Sequence, residues 1–139
     1  MCNSGSTLVF DESGEPLHVQ QRRQIDSYRS AWAEAGWSRE ARVSVSRSIF
    51  PIVDARDQAY FGGSQSDSDQ FGQIDAQRAV FGRSYAAEPD KLIEQLKADT
   101  AIEAADTLLL TIPNQLGVDY CASVMEKFIK HIAKPMGWK

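Results

Sequence analysis

Apolar residues fall along the chain in two rhythms. From Leu17 to Ala35 the rhythm is helical: Ile25, Tyr28, Trp32 and Ala35 recur at helical spacing and share one face. Gln20, Arg22, Arg23, Asp26, Arg29 and Glu34 are left for the opposite face. Gly36 suits the left-handed residue that closes a helix, and Trp37 can fold back onto the last turn. From Arg42 to Val53 the rhythm changes to alternation. Val43, Val45, Arg47 and Ile49 fall on one face, and Ser44, Ser46, Ser48 and Phe50 on the other. The first set would pack under helices, with Arg47 pairing with a carboxylate or reaching the rim. The serine face suits the inside of a barrel, a ligand-facing surface or a solvated face. Pro51 cannot donate to a ladder and marks the end of regular pairing.

The remaining elements follow from the same signals. Met1 to Phe10 holds a short β-prone run, and residues 11–16 read as a polar turn. Asp54 suits an N-cap for a short helix over Ala55 to Phe61. Residues 62–70 read as a polar insertion, a loose connection or a mobile lid. Ile74, Arg78 and Phe81 suggest another short helix closed by Gly82. Residues 83–87 lead into Pro89, which fits the first position of a helix with Leu92, Ile93 and Leu96 as its stripe. Glu88 and Asp90 already fill the positive end of that helix and argue against a phosphate there. Thr107 to Ile112 is apolar, as in a strand covered on both faces. Tyr120 to Lys134 is a helix with Cys121, Val124, Met125, Phe128, Ile129 and Ile132 inward, and Glu126, Lys127 and Lys130 outward. Pro135 stops it, and Trp138 packs back.

Strands alternating with helices predict an α/β fold with a parallel sheet. Three strands are few for such a sheet, and the apolar run Leu108–Leu110 expects a neighbour on each side.

Composition narrows the function. The 139 residues are 42% hydrophobic and 24% charged, with a formal charge of −4. That is an ordinary globular balance with no basic stripe, so nucleic acid is not an expected partner. No run is long and apolar enough to span a bilayer, no leader is evident, and a reduced cytoplasmic setting is the default expectation. Cys2 and Cys121 lie far apart without metal spacing. His18 and His131 lack evident partners. Walker A, G-x-G-x-x-G, H-E-x-x-H and G-x-S-x-G patterns do not occur, so a hydrolytic triad or zinc site is not expected.

Three segments carry a resemblance. Arg42–Arg47 leading to Val53-Asp54, then Ala87–Leu96, then Ala105–Pro113, resembles in order the C-terminal part of the luciferase-like flavin-dependent monooxygenases. Pro135-Met136-Gly137-Trp138 looks like that family's terminus, and Gly5-Ser6-Thr7-Leu8 like the end of an earlier strand near the flavin. The resemblance implies the C-terminal portion, about three β/α units, of a TIM-barrel-type parallel (β/α)8 fold, with residues 1–139 as one partial barrel domain. It implies an oxidoreductase using reduced FMN, or a deazaflavin, and O2 on a small organic substrate. A separate flavin reductase or the missing N-terminal barrel portion would be the partner, and a homo-oligomer stays open. Cofactor contacts would come from strand ends: Ser6 and Thr7 after the first, Thr111, Asn114 and Gln115 after the last, with Ser84 and Tyr85 as further candidates. Ordinary loop capping is the competing reading for each. The catalytic base is not identified. A non-catalytic remnant or flavin- or partner-binding module is the alternative function. An unrelated small α/β domain with the 62–70 loop as a regulatory lid is a third.

Overall fold

The structure, a computed structural model, describes residues 2–5, 7–9, 13–63 and 68–138. Its elements run β1 (Cys2–Ser4), β2 (Thr7–Val9), α1 (Leu17–Glu34), β3 (Val43–Arg47), β4 (Ile49–Pro51) and α2 (Ala55–Phe61). There follow β5 (Gln70–Ile74), β6 (Gln77–Phe81), β7 (Tyr85–Ala87), α3 (Pro89–Lys97), α4 (Thr100–Ala104), β8 (Thr107–Leu110) and α5 (Val118–Phe128). The chain is mixed α/β, and the described strands form no closed barrel. Its contacts divide it into two compact units. One holds Met1–Arg47, Ser68–Arg83 and Asp99–Leu109; the other holds Ser48–Asp67, Ser84–Ala98 and Leu110–Lys139.

The first unit has two sheets. In one, the order is β1-β3-β8, with β1 and β3 parallel in the register Cys2↔Val43 to Ser4↔Val45. Val43, Ser44 and Val45 are all buried. The serines of this strand therefore do not form one open polar face: Ser44 is fully enclosed and its hydroxyl donates to Asn3 Oδ1 at 2.9 Å. β8 stands at the sheet edge, and Leu109 is exposed. Three of its four residues are half-buried and none is fully buried, so it is not the strand enclosed on both faces that its apolar run predicts.

The second sheet, β2-β6-β5, is antiparallel throughout. This departs from an all-parallel arrangement. It also replaces the short helix expected around Ile74, Arg78 and Phe81. The cause is local. Asp75 and Ala76 both take positive φ, 49° and 66°, which makes a two-residue turn whose twist matches a hairpin. The alternative helical spacing of three apolar residues is too short a signal to compete. Gly72 lies under Phe81, where an added Cβ would come 2.8 Å from the ring.

α1 packs against α4 in this unit. Its N-cap, Pro16, has no hydrogen-bonding side-chain group to offer. Asp69 supplies the cap from a distant segment, accepting from the Leu17 N–H at 2.6 Å. The same carboxylate accepts from Arg83 N–H at 3.2 Å. Asp69 thus leaves the polar insertion as an ordered tie; residues 64–67 of that insertion lie outside the described residues. His18, without a partner in the sequence reading, meets Thr100: Nδ1 and Oγ1 are 3.0 Å apart. Gly36 is left-handed and Trp37 does return to Trp32, their rings 5.8 Å apart.

Arg47 sits at the end of β3, only 3% exposed. Its guanidinium grips Asp99 with Nε and Nη2 at 2.7 and 3.0 Å. Asp99 Oδ1 also accepts from Ala101 and Ile102 N–H, capping α4. One buried carboxylate thereby neutralises a buried cation and starts a helix.

The second unit is built on β4 and β7, parallel with Phe50 opposite Ala86. Ser48 separates β3 from β4, so the long strand expected over 42–53 is broken. Pro51 ends β4, as its missing donor requires, and pairing closes with Ile52 N–H donating to the Ala87 carbonyl at 2.9 Å. The Tyr85–Ala87 strand replaces what reads in sequence as a lead-in. It is short, but all three residues are buried. Phe50, Ile52, Phe61, Ala86, Tyr120 and Val124 form the core, with Phe50 and Phe61 rings stacked at 4.1 Å. α3 starts at Pro89 and buries Leu92 and Leu96 as expected. α5 buries Tyr120, Val124 and Phe128, and the line continues to Ile132 through a π turn over Ile129–Ala133. The buried stripe is narrower than the sequence suggests, leaving Met125 and Ile129 exposed.

Two stability outcomes follow. Asp99→Ala leaves the Arg47 charge buried without a counterion and uncaps α4, a loss of about 3–5 kcal/mol, read as a fall in the urea midpoint. Ala76→Gly relieves a left-handed alanine and raises stability by about 0.5–1 kcal/mol; an unchanged or lower midpoint contradicts the turn geometry.

Candidate functional site

The densest cluster of titratable side chains among the described residues lies in the second unit, where β4 runs out into α2. Asp54 and Asp57 form a capping box. Asp54 Oδ1 accepts from Arg56 and Asp57 N–H at 2.9 and 3.0 Å, while Asp57 Oδ2 accepts from Val53 and Asp54 N–H at 3.0 and 3.2 Å. Asp57 is fully buried. Its carboxylate is completed from α5. Tyr120 donates its hydroxyl to Oδ1 at 2.8 Å, and Lys127 Nζ lies 2.7 and 2.8 Å from the two oxygens. The same ammonium bonds Asp54 Oδ2 at 2.6 Å. Tyr120 and Lys127 are two helical turns apart, so they address α2 from one face.

The sequence reading turned Lys127 outward, beside Glu126 and Lys130. The structure corrects this: its side chain is 17% exposed. No local pattern marks it, because its partners are some seventy residues away. Asp54 was legible as a cap; Asp57 as a buried hub was not, although the spacing Asp54-x-x-Asp57 is a capping-box signal. On the outer side, the Arg56 guanidinium lies 4.4 Å from the Tyr120 ring centroid, and the Tyr60 ring is 4.9 Å from Tyr120.

The electrostatics fix the protonation states. Burial pushes the Asp57 carboxyl upward, but hydrogen bonds from Lys127, Tyr120 and two backbone N–H groups outweigh it, and it lies below the ordinary carboxylate value. The Lys127 hydrogen bond holds Asp54 below its ordinary value as well. Desolvation works against the Lys127 ammonium, and the two carboxylates more than offset it, so its pKa is raised. Burial and the bond to Asp57 push the Tyr120 phenol strongly upward. Near neutral pH the cluster is two carboxylates, one ammonium and one neutral phenol. A proton-transfer group works best with a pKa near the operating pH, and these four are all driven away from it. The cluster is an ionic clamp between α2 and α5.

The positions expected to contact a cofactor are distributed as follows. Ser6 lies outside the described residues. Thr7 opens β2, opposite Phe81. Ser84 is half-buried and Tyr85 buried, and both stand where the chain enters β7. Thr111 is exposed just after β8, and Asn114 and Gln115 are exposed in the 3-10 turn Asn114–Leu116. Cys121 is a half-buried free thiol that donates to the Pro113 carbonyl at 3.7 Å. Among the described residues no group of three or more His, Cys, Asp or Glu side chains is arranged for a metal ion. No helix there is long and apolar enough to cross a membrane. No family model, curated protein or solved structure matches this chain.

Lys127→Met strips the ammonium from a buried carboxylate and costs about 1.5–3 kcal/mol near neutrality. The carboxyl part of this stability is present above the ordinary value of 3.8 and is lost as pH falls through the lower folded values. The lysine part is present below 10.5 and is lost as pH rises through the raised folded value. The difference between the native chain and Lys127→Met, followed by urea melts, is therefore flat across neutral pH and shrinks at both extremes. A difference that peaks near pH 7 and fades on either side of it would sink this account.

Proposed function

We propose that the chain is a flavin-dependent oxidoreductase module of the luciferase-like kind, part of a larger β/α assembly and incomplete in catalysis by itself. The observation that carries the reading is the exit of β8. This apolar strand leads directly into a segment whose exposed side chains are a hydroxyl and two carboxamides, Thr111, Asn114 and Gln115. Loops that leave the strands of α/β sheets are the usual ligand-facing segments. The parallel pairing of β4 with β7, with α2 and α3 close behind, agrees with such a unit.

The donor set fits a flavin ring. A flavin presents carbonyl acceptors and an N–H donor, and carboxamides answer both while a hydroxyl answers either. Thr111, Asn114 and Gln115 would orient the ring, and Ser84 belongs to the same proposal with less support; Thr7 belongs to the other unit and is not part of it. Tyr85 is buried, and its ring serves packing in β7 first. When bound, reduced flavin would supply the electrons that let O2 oxidise a small organic substrate. The Asp54–Asp57–Lys127 clamp would hold α2 against α5, the helix that follows the loop.

A second reading rests on the edge position of β8. Among the described residues no strand pairs with its outer edge, and this with exposed Leu109 suits a module that pairs with further strands and catalyses nothing.

Titration with oxidised FMN separates the two. On the first reading, FMN fluorescence is quenched saturably. Asn114→Ala and Gln115→Ala each weaken binding about five-fold, the worth of one hydrogen bond of about 1 kcal/mol. A folded chain that leaves FMN fluorescence unchanged removes the flavin reading and leaves the pairing module.

A further inference from the structure

Helix α5 carries a wider apolar arc than its own unit covers. Tyr120, Val124 and Phe128 are buried. Val118, Ala122, Met125 and Ile129 recur at i, i+4, i+7 and i+11, so they form a second row along the helix. Ile129 still belongs to that row, because its N–H reaches the Met125 carbonyl before the π turn takes over. Val118 is 86% exposed, Met125 45% and Ile129 52%, and Ala122 is half-buried. Asp119, Ser123, Glu126 and Lys130 repeat the same spacing one residue further on, which sets a polar row beside the apolar one. That row is acidic at its start and basic at its end. Asp119, Glu126 and Lys130 are exposed, and among the described residues none of them is in an ion pair. Single exposed apolar side chains are ordinary on a protein surface, but an apolar row with charges along its flank is the pattern of a helix seam.

We propose that this face of α5 pairs with the same face of a second copy of the chain, the two helices antiparallel about a two-fold axis between Ser123 and Val124. A two-fold contact uses one patch twice, so the patch must complement itself. This one does. With the axis there, Val118 meets the partner's Ile129, and Ala122 meets the partner's Met125, a small side chain against a long one. In an antiparallel pair each flank meets the same flank of its partner in reverse order. Asp119 then lies within a turn of the partner's Lys130, and the symmetry makes a second such pair at the other end. Glu126 falls opposite the partner's Ser123. Opposite charges thus bracket the apolar row at both ends, and such flanking charges set the direction of helix pairing. A parallel pairing would set Asp119 against Asp119 and Lys130 against Lys130, which like-charge repulsion disfavours. The row spans about three helical turns. That is short for a permanent interface, so the dimer belongs to the weak, concentration-dependent class. The contact lies wholly on the second unit, is separate from the edge of β8, and does not depend on the flavin reading.

The test is analytical ultracentrifugation of the full chain from micromolar to millimolar concentration. The expected result is a reversible monomer–dimer equilibrium. Met125→Lys changes an exposed side chain, places two cations near the axis and removes the dimer across that range. Lys130→Asp brings acidic residues together at each end, Asp119→Lys brings basic ones together, and each weakens the dimer about five-fold. The double variant Asp119→Lys/Lys130→Asp restores the native affinity, because each pair is rebuilt with its signs exchanged. This exchange probes the contact without touching the apolar row, so it does not depend on Met125→Lys folding. A chain that stays monomeric at millimolar concentration overturns the proposal. So does a dimer that survives Met125→Lys, as one built on the β8 edge would. A double variant no better than its single parents overturns the antiparallel pairing.

Discussion

A carboxylate taken out of water must have its lone pairs answered, and each unit of this protein is arranged around one aspartate in that condition. Asp99 in the first unit receives two guanidinium donors from Arg47 and two backbone N–H groups from the start of α4. Asp57 in the second receives two backbone N–H groups, the Tyr120 hydroxyl and the Lys127 ammonium. In both cases the backbone donors are local and the cation comes from far along the chain. The carboxylate is therefore both a helix cap and a long-range tie. Hydrophobic burial is non-directional, but these contacts tolerate only narrow distances and angles, so they narrow the packings that would hide the same apolar surface.

That arrangement bears on chemistry. The Asp54–Asp57–Tyr120–Lys127 cluster has the residue types of an acid–base site, yet every shift deepens the existing charge state. A catalytic carboxyl is usually raised by burial that is left uncompensated. Here the compensation is complete, so the cluster stabilises geometry. Gln21 is the contrast. Its amide is just as buried, but its Oε1 has no hydrogen-bond partner among the described residues.

Much of the element map was legible because the signals are local. Asp54 as a cap, Ala55–Phe61 as a helix, Pro89 at a helix start and Gly36 at a helix end each depend on a few neighbouring residues, and the structure has them all. Where the pattern was weak or two-valued, tertiary context decided. Residues 74–81 carry apolar groups at helical spacing, but two left-handed residues in the turn and a waiting partner in β2 make them a hairpin. Tyr85-Ala86-Ala87 is too short for a strand signal and becomes one because β4 offers it a ladder. The serines of β3 were read by alternation alone, which does not reveal that Ser44 would meet Asn3 across the β1 pairing.

The amino-acid sequence by itself determined the α/β character, the starts of α1, α2 and α3, and the positions of Arg47 and Asp54 within their elements, since capping and periodicity act within a turn or two of chain. Only the tertiary structure decided which charges would meet. Arg47 finds Asp99 and Lys127 finds Asp57 across more than fifty residues, and Asp69 caps a helix that begins fifty-two residues before it. Such partners carry no mark in the local sequence. A side chain's ionic partner depends on what folding brings within about 3 Å of it, and distance along the chain does not report that.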